Sequence, residues 1–143
     1  MNKFDLLNEL TANLGVLYIK LHQHHFYVTG PCFVEYHEYF EELYNEVHGH
    51  LDEVAERNIM MGGQPVSTLG EFLQLATIQE APYTAKKSWK EMLAETLADF
   101  QTIVSILEKG IGADFVDEVT EDVLIGMKAY YDKQMWMISA TLA

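Results

Sequence analysis

Hydrophobic residues recur at steps of three and four along four long segments, which is the pattern of amphipathic α-helices. The first stripe covers residues 4–21, the second residues 40–54 and the third residues 93–111. No segment alternates hydrophobic with polar residues in the manner of a β-strand, so the pattern predicts an all-α fold. The fourth stripe is expected to consist of Val123, Met127, Tyr130, Gln134 and Met137, with Leu124, Tyr131 and Ile138 beside them.

Glycine and proline residues separate these stripes and mark the helix ends. The first break is Gly30-Pro31, with Pro31 expected in the first turn of the second helix. Thr68 followed by Glu71 fits a capping box and predicts a short extra helix at about residues 68–77, in the long connection between helices two and three. Four long helices with one long crossover predict a single ferritin-like four-helix domain over residues 1–143.

The composition is globular and strongly acidic. Hydrophobic residues make up 49% of the 143 residues, and 22 acidic against 9 basic residues give a formal net charge of −13. Such a surface repels phosphate backbones and attracts cations, which argues against nucleic-acid binding through bulk charge. Cys32 is the only cysteine, and the sequence has neither a signal-peptide core nor an apolar run that could span a bilayer. We therefore expect a cytoplasmic protein with no membrane partner.

Residue types that bind metals lie along one side of the second helix. His37, Glu41, His48, Asp52 and Glu56 fall on an arc of about 100° beside its apolar stripe, and this helix has no lysine. Fifteen residues separate His37 from Asp52, which is about 22 Å at the helical rise of about 1.5 Å per residue. One ion cannot reach both ends of this arc within a single chain.

The spacing of these residues suits a two-fold contact between two copies of the helix. The midpoint of residues 37 and 56 coincides with the midpoint of residues 41 and 52, next to Glu46. If two copies crossed antiparallel at this point, His37 would face the partner's Glu56, and Glu41 would face the partner's Asp52. The pattern is therefore compatible with metal sites that two subunits share.

The first helix contributes a further histidine. His25 lies just before the break at residue 30, so a sharp turn could return it toward His37. Imidazole together with carboxylates suits iron(II), manganese or zinc. Spacing alone leaves open that all these are ordinary surface residues and histidines at the edge of the core, because short His/Glu patterns are common on helices. None of the six histidines follows a glutamate by three residues, which argues against a Glu-x-x-His di-iron bundle.

Residues 24–69 resemble the signature region of the Dps family of mini-ferritins. The family pattern is His-Trp-x-x-x-Gly, a second histidine twelve residues after the first, Asp-x-x-Ala-Glu-Arg, and Gly-Gly-x-Pro. The matching residues here are His25, Gly30, His37, Asp52, Ala55, Glu56, Arg57, Gly62, Gly63 and Pro65. The ending DKQMWMISATL (132–142) is also similar to the family, so the resemblance spans essentially the whole chain. Phe26 departs from the pattern because it replaces the tryptophan.

The resemblance implies a ferritin-like subunit of a hollow homo-dodecamer with ferroxidase centres at its two-fold interfaces. Such centres oxidise iron(II), preferably with hydrogen peroxide, and the cage stores ferric iron and so protects against oxidative damage. Asp122, four residues before Gly126, resembles the aspartate of the family's iron-entry pores. Zinc could substitute for iron in the centre. The catalytic and metal-binding residues that the resemblance implies are His25, His37, Asp52 and Glu56, with Glu41 as a supporting metal ligand.

Two other functions stay open on the sequence alone. One is a nucleoid protein that binds DNA, but family members of that kind often use lysine-rich tails, and only Lys3 precedes the first predicted helix. We therefore expect no DNA binding. The other is a structural assembly bridged by zinc, which iron oxidation kinetics would distinguish from a ferroxidase. The histidines without an assigned chemical role are His22, His24, His48 and His50.

Overall fold

The computed structural model describes all 143 residues, which form five helices and no β-strand. The four long helices form a bundle, and a short helix lies in the connection between the second and the next long one. The predicted all-α bundle with a short helix in its long crossover is confirmed, although that helix is shorter than expected. None of the helices is long and apolar enough to cross a membrane. The helices are α1 (Lys3–Tyr27), α2 (Phe33–Met60), α3 (Leu69–Leu75), α4 (Trp89–Gly110) and α5 (Glu118–Leu142).

Side-chain caps fix the starts of four of the five helices. Thr68 and Ser88 each accept a hydrogen bond from the backbone N–H of a glutamate three residues later, and both capping boxes are complete. Asn2 caps α1 and Asp117 caps α5 through the same kind of bond. These caps satisfy backbone N–H groups that the first turn of a helix leaves without partners.

The connection between α1 and α2 reverses the chain within residues 28–32. Gly30 has a φ of 108°, and Cys32, the N-cap of α2, is the only non-glycine residue with a positive φ, at 65°. The N–H of Phe33 donates to the carbonyl oxygen of Gly30 over 3.2 Å, which makes Pro31 the second residue of a β-turn. The expectation that Pro31 begins α2 is wrong, because the tight reversal uses the fixed φ of proline one step earlier.

The core is centred on α1. Every residue from Leu10 to Leu17 is buried, because α1 packs against α2, α3 and α4. The predicted stripes of the first three long helices supply most of the remaining core. This packing also holds the last turn of α1 against the first turns of α2.

The buried face of α5 differs from the predicted one. Met137 is exposed, and Tyr130 and Gln134 are only half-buried. The reason is that α5 packs mainly on α4 and leaves a cleft of about 470 Å³ against α2, which these two half-buried side chains line. The true core face combines the three residues predicted beside the stripe, Leu124, Tyr131 and Ile138, with Met127 from the stripe itself.

A cluster of charged side chains is enclosed between α1 and α4. The Nζ of Lys20 lies 2.9 Å from a carboxylate oxygen of Asp99, and these side chains are only 14% and 11% exposed. The Nε2 of His24 lies 3.6 Å from a carboxylate oxygen of Glu95. Both ring nitrogens of His24 are buried without a hydrogen bond. Burial lowers the pKa of His24 from 6.5 to about 4, although the negative charge of Glu95 opposes this shift.

His24 is expected to make the folded protein sensitive to mild acid. Below pH 6.5 the unfolded chain binds a proton at His24, whereas the folded chain does not until the pH approaches 4. The stabilisation from a neutral His24 is therefore complete above pH 6.5 and is lost as the pH falls toward 4, with about 2 kcal/mol lost between pH 7 and pH 5. Denaturant unfolding at these two pH values, with a metal chelator present, measures this loss in the free energy of unfolding.

The variant His24→Leu should reduce the pH dependence of unfolding by that amount. Thr96→Val is the matched control, because it alters an equally buried side chain of the same core that cannot titrate, and so it should leave the dependence unchanged. An identical pH dependence in the wild type and in His24→Leu would contradict the interpretation.

Candidate metal centre

His25 from the last turn of α1 and His37 from α2 stack ring against ring beside the turn at residues 28–32. Their ring centroids are 3.7 Å apart and their planes differ by 17°. The Nδ1 of His25 lies 2.7 Å from the carbonyl oxygen of His37, and the Nδ1 of His37 lies 2.8 Å from the carbonyl oxygen of His25. Because a carbonyl oxygen can only accept, each Nδ1 donates its proton. In the neutral rings both Nε2 atoms therefore keep a free lone pair, as metal-binding histidines require.

Glu41 lies beside this pair of rings, one turn after His37 on α2. Its Oε1 is 4.0 Å from the Nε2 of His25, and the glutamate side chain is 53% exposed while that of His25 is 10% exposed. An ion with ligand distances of about 2.1 Å could bond both of these atoms. The end of α1 and the start of α2 thus bring two imidazoles together and place the Glu41 carboxylate beside one of them, that of His25.

Asp52 and Glu56 lie at the other end of the same helix. Because α2 is unbroken from Phe33 to Met60, the separation of about 22 Å between His37 and Asp52 holds in the folded chain. Asp52 is 64% exposed and approaches only His48, with 3.9 Å between carboxylate oxygen and Nε2. A single chain contains no group of three histidine, cysteine or carboxylate side chains arranged to hold an ion. The predicted site residues therefore fall into two separate groups in one subunit.

Tyr44, which lies within the apolar stripe predicted for residues 40–54, joins the first of these groups. Its hydroxyl donates to Oε1 of Glu41 over 3.3 Å. Its ring meets the ring of His25 edge-on, with centroids 5.4 Å apart at 88°, and stacks on His22 with centroids 3.7 Å apart. Partial burial raises the pKa of the Tyr44 hydroxyl, and the neighbouring Glu41 raises it further. The signal that could have revealed this contact is the three-residue step from Glu41 to Tyr44.

The comparisons with known proteins agree with one another over the full length of the chain. A family model described as a ferritin-like domain matches residues 4–143. DNA protection during starvation protein 2 from Bacillus anthracis is 41% identical over an alignment of 146 positions, which covers 99% of this chain and 99% of the relative. The chain belongs to the Dps family of ferritin-like proteins.

Solved Dps structures share this fold closely. The crystal structure of Dps from Listeria monocytogenes matches with a TM-score of 0.97 at 39% identity, covering 99% of this chain and 94% of that one. A Dps structure from Listeria innocua soaked with zinc matches with a TM-score of 0.92 at 38% identity, covering 99% of this chain and 96% of that one. The resemblance to Dps and the ferritin-like fold class are thereby confirmed.

Within this Dps subunit, two aspartates near the start of α5 differ in their contacts, because Asp117 is hydrogen-bonded and paired while Asp122 is not. Asp117 caps the helix, accepts a bond from the hydroxyl of Thr120 and pairs with Arg57 over 3.0 Å. The hydrogen bond from Thr120, assisted by Arg57, lowers the pKa of Asp117 from 3.8 to about 2. Asp122 is exposed near the start of α5 and forms no ion pair. Of these carboxylates, Asp117 has a local structural role and Asp122 does not.

Proposed function

We propose that this protein oxidises iron(II), preferably with hydrogen peroxide, and stores the ferric product inside a hollow dodecameric cage. Membership in the Dps family supports iron storage and protection against oxidative stress as the general function. The observation that carries the proposal is the stacked pair of His25 and His37. Both Nδ1 atoms of this pair are bonded to carbonyl oxygens, so both Nε2 atoms are free to bind an iron substrate.

The proposed centre lies between two subunits. His25 and His37 of one subunit bind iron together with the partner's Asp52 and the partner's Glu56, and Glu41 supports the site. Two features favour this arrangement over a site in one chain. The first is that Asp52 lies on the exposed surface of α2, away from both rings. The second is the spacing along α2, because in an antiparallel two-fold contact the histidines of each subunit would face the carboxylates of the other. Each two-fold contact then contains two identical centres.

The donor set suits the oxidation of iron(II). Carboxylate oxygens stabilise the higher charge of the ferric ion, so a ferrous ion bound among them loses an electron more readily. The carbonyl oxygens that hold the two Nδ1 protons also fix the ring orientations, so the imidazoles need little rearrangement when the substrate binds.

We further propose that iron reaches the interior through acidic pores to which Asp122 contributes. The net charge of −13 favours the accumulation of cations around such an assembly.

Separate variants of the two ligand groups test this function. His37→Ala and Asp52→Ala should each slow peroxide-dependent iron(II) oxidation at least ~100-fold, because each removes a ligand from every centre. Stopped-flow absorbance of the ferric product gives the rate, and size-exclusion chromatography checks that the assembly is intact. Glu53→Ala is the matched control, since Glu53 is an exposed carboxylate next to Asp52 on α2. Wild-type rates in assembled His37→Ala or Asp52→Ala would refute the site.

The same measurement separates the proposal from a zinc-bridged structural assembly. Dps structures from Listeria innocua have been obtained after soaking with cobalt and with zinc, so a bound metal alone does not identify an oxidase. A structural zinc site predicts no iron oxidation by the wild type.

The relatives are named for the protection of DNA. Because this chain carries a net charge of −13, we propose that it protects by removing iron and peroxide rather than by binding DNA.

A further inference from the structure

His48 is a metal-binding type of side chain that the proposed iron centres do not use. It lies on α2 between Glu41 and Asp52, and its side chain is 54% exposed. Four other histidine rings bond a carbonyl or hydroxyl oxygen through Nδ1. His48 has no such bond, and its Nε2 approaches only a carboxylate oxygen of Asp52, at 3.9 Å. The neutral ring therefore keeps a lone pair for an ion that lies outside its own subunit.

The position of His48 along α2 is close to the proposed two-fold axis. Pairing His37 with the partner's Glu56 puts that axis midway between residues 46 and 47. The two copies of residue 48 in one contact are then only about 4.5 Å apart along the helix direction. Glu41 and Asp52, by contrast, each lie about 8 Å from the axis on the same measure. His48 is thus placed to meet its own copy rather than a ligand of an iron centre.

The direction of the His48 side chain also suits that contact. At about 100° per residue, His48 lies within about 20° of both His37 and Glu41 around α2, and these two residues face the partner in the proposed pairing. The ring of Tyr18 lies against the His48 ring, with centroids 5.4 Å apart and 36° between the planes. Tyr18 in turn packs against the core, so α1 supports the imidazole from one side. Because a two-fold contact is self-complementary, a supported side chain beside the axis faces an identical one.

We propose that the two His48 rings of each two-fold contact bind one divalent transition-metal ion such as zinc, an inference that rests on the contact in the proposed function. Each imidazole supplies one nitrogen at about 2.1 Å, and water completes the coordination. Imidazole suits zinc, copper and nickel, whereas magnesium and calcium take oxygen ligands. The Asp52 carboxylate beside each ring adds negative charge that favours a cation at the axis. This ion is distinct from the iron substrate and joins the two subunits that form the centres.

The amount of zinc bound by the iron-free assembly tests this site. Equilibrium dialysis against buffered free zinc, followed by metal analysis, should show about half a zinc ion per subunit less in His48→Ala than in the wild type, because one ion on the axis serves two subunits. Asn45→Ala is the matched control, since it truncates an exposed polar side chain of α2 at the same distance from the axis. It should bind as much zinc as the wild type. Size-exclusion chromatography checks that each variant is assembled.

A second comparison separates the axial ion from zinc in the iron centres. His37→Ala removes a ligand from every centre and should lose the zinc bound there. Adding His48→Ala to that variant should remove about a further half ion per subunit, because the axial site does not depend on His37. An equal zinc content in His37→Ala and in the double variant would contradict the axial site.

The size of the loss distinguishes the shared site from its alternatives. Loss of one whole ion per subunit would mean that His48 binds zinc within its own subunit, together with Asp52, and would overturn the shared site. Equal zinc binding by the wild type and His48→Ala would overturn it as well, while the ferroxidase proposal would stand if His37→Ala still slowed iron oxidation. A loss of half an ion from a protein that does not oxidise iron would support the shared site alone.

Discussion

Mixed assemblies of His37→Ala and Asp52→Ala subunits are expected to recover iron oxidation that neither variant shows alone. In the proposed two-fold contact, each centre takes its histidines from one subunit and Asp52 from the other. A dimer of one His37→Ala and one Asp52→Ala subunit therefore has one centre with both substitutions and one centre that is fully wild type. Random pairing makes half of the dimers mixed, so about a quarter of all centres are intact.

Co-expression with two affinity tags, followed by purification on both, gives assemblies that contain each variant. Their peroxide-dependent oxidation rate per subunit should be about a quarter of the wild-type rate when the two variants are equally represented. The control is a mixture of His37→Ala with His25→Ala, in which every centre lacks one histidine and no recovery can occur. Failure of the first mixture to recover would mean that His37 and Asp52 do not meet across subunits.

The variant Asp99→Ala is expected to cost about 3–5 kcal/mol in the free energy of unfolding, because it removes the directly paired carboxylate of the enclosed Lys20 ammonium group. The two side chains are 2.9 Å apart and only 14% and 11% exposed. Burial raises the pKa of Asp99 while Lys20 opposes the shift, so the pair persists against a desolvation cost. Denaturant titration followed by circular dichroism, at a fixed subunit concentration and pH 7, measures the loss.

Two further variants define the cause of that loss. Asp132→Ala removes a partner of Lys128 in a solvent-exposed i,i+4 pair and should cost no more than ~0.5 kcal/mol. The double variant Lys20→Met with Asp99→Leu should recover most of the stability, because it replaces both charges by apolar groups. If Asp99→Ala were as mild as Asp132→Ala, breaking the enclosed pair would not leave a costly buried charge.

Much of the fold could be predicted from the sequence because its signals are local. Hydrophobic steps of three and four identified the four long helices, and the step from Thr68 to Glu71 identified α3 through its cap. The two errors concern packing between elements. Pro31 belongs to the turn because the chain must reverse within five residues, and Met137 is exposed because α5 leaves a cleft beside α2. A single helix gives no information about such distances to its neighbours.

The proposed site could be predicted only as a list of residues. Spacing suggested that a turn could return His25 to His37, but the reciprocal bonds between each Nδ1 and the opposite carbonyl oxygen depend on the φ angles of the connection. The contact between Tyr44 and Glu41 was missed because a tyrosine in an apolar stripe is usually a core residue. Here the ring packs at the edge of the core while its hydroxyl donates a hydrogen bond to the exposed Glu41 carboxylate.

The unbroken course of α2 also limits how this subunit can evolve. In the proposed centres, one continuous helix carries histidines at one end and the carboxylates for the neighbouring centre at the other. Inserting or deleting one residue between them would shift the far end by about 1.5 Å and rotate it by about 100°. Both centres of the pair would lose their geometry at once. In the proposed centres, the length of the segment between residues 37 and 52 is therefore fixed.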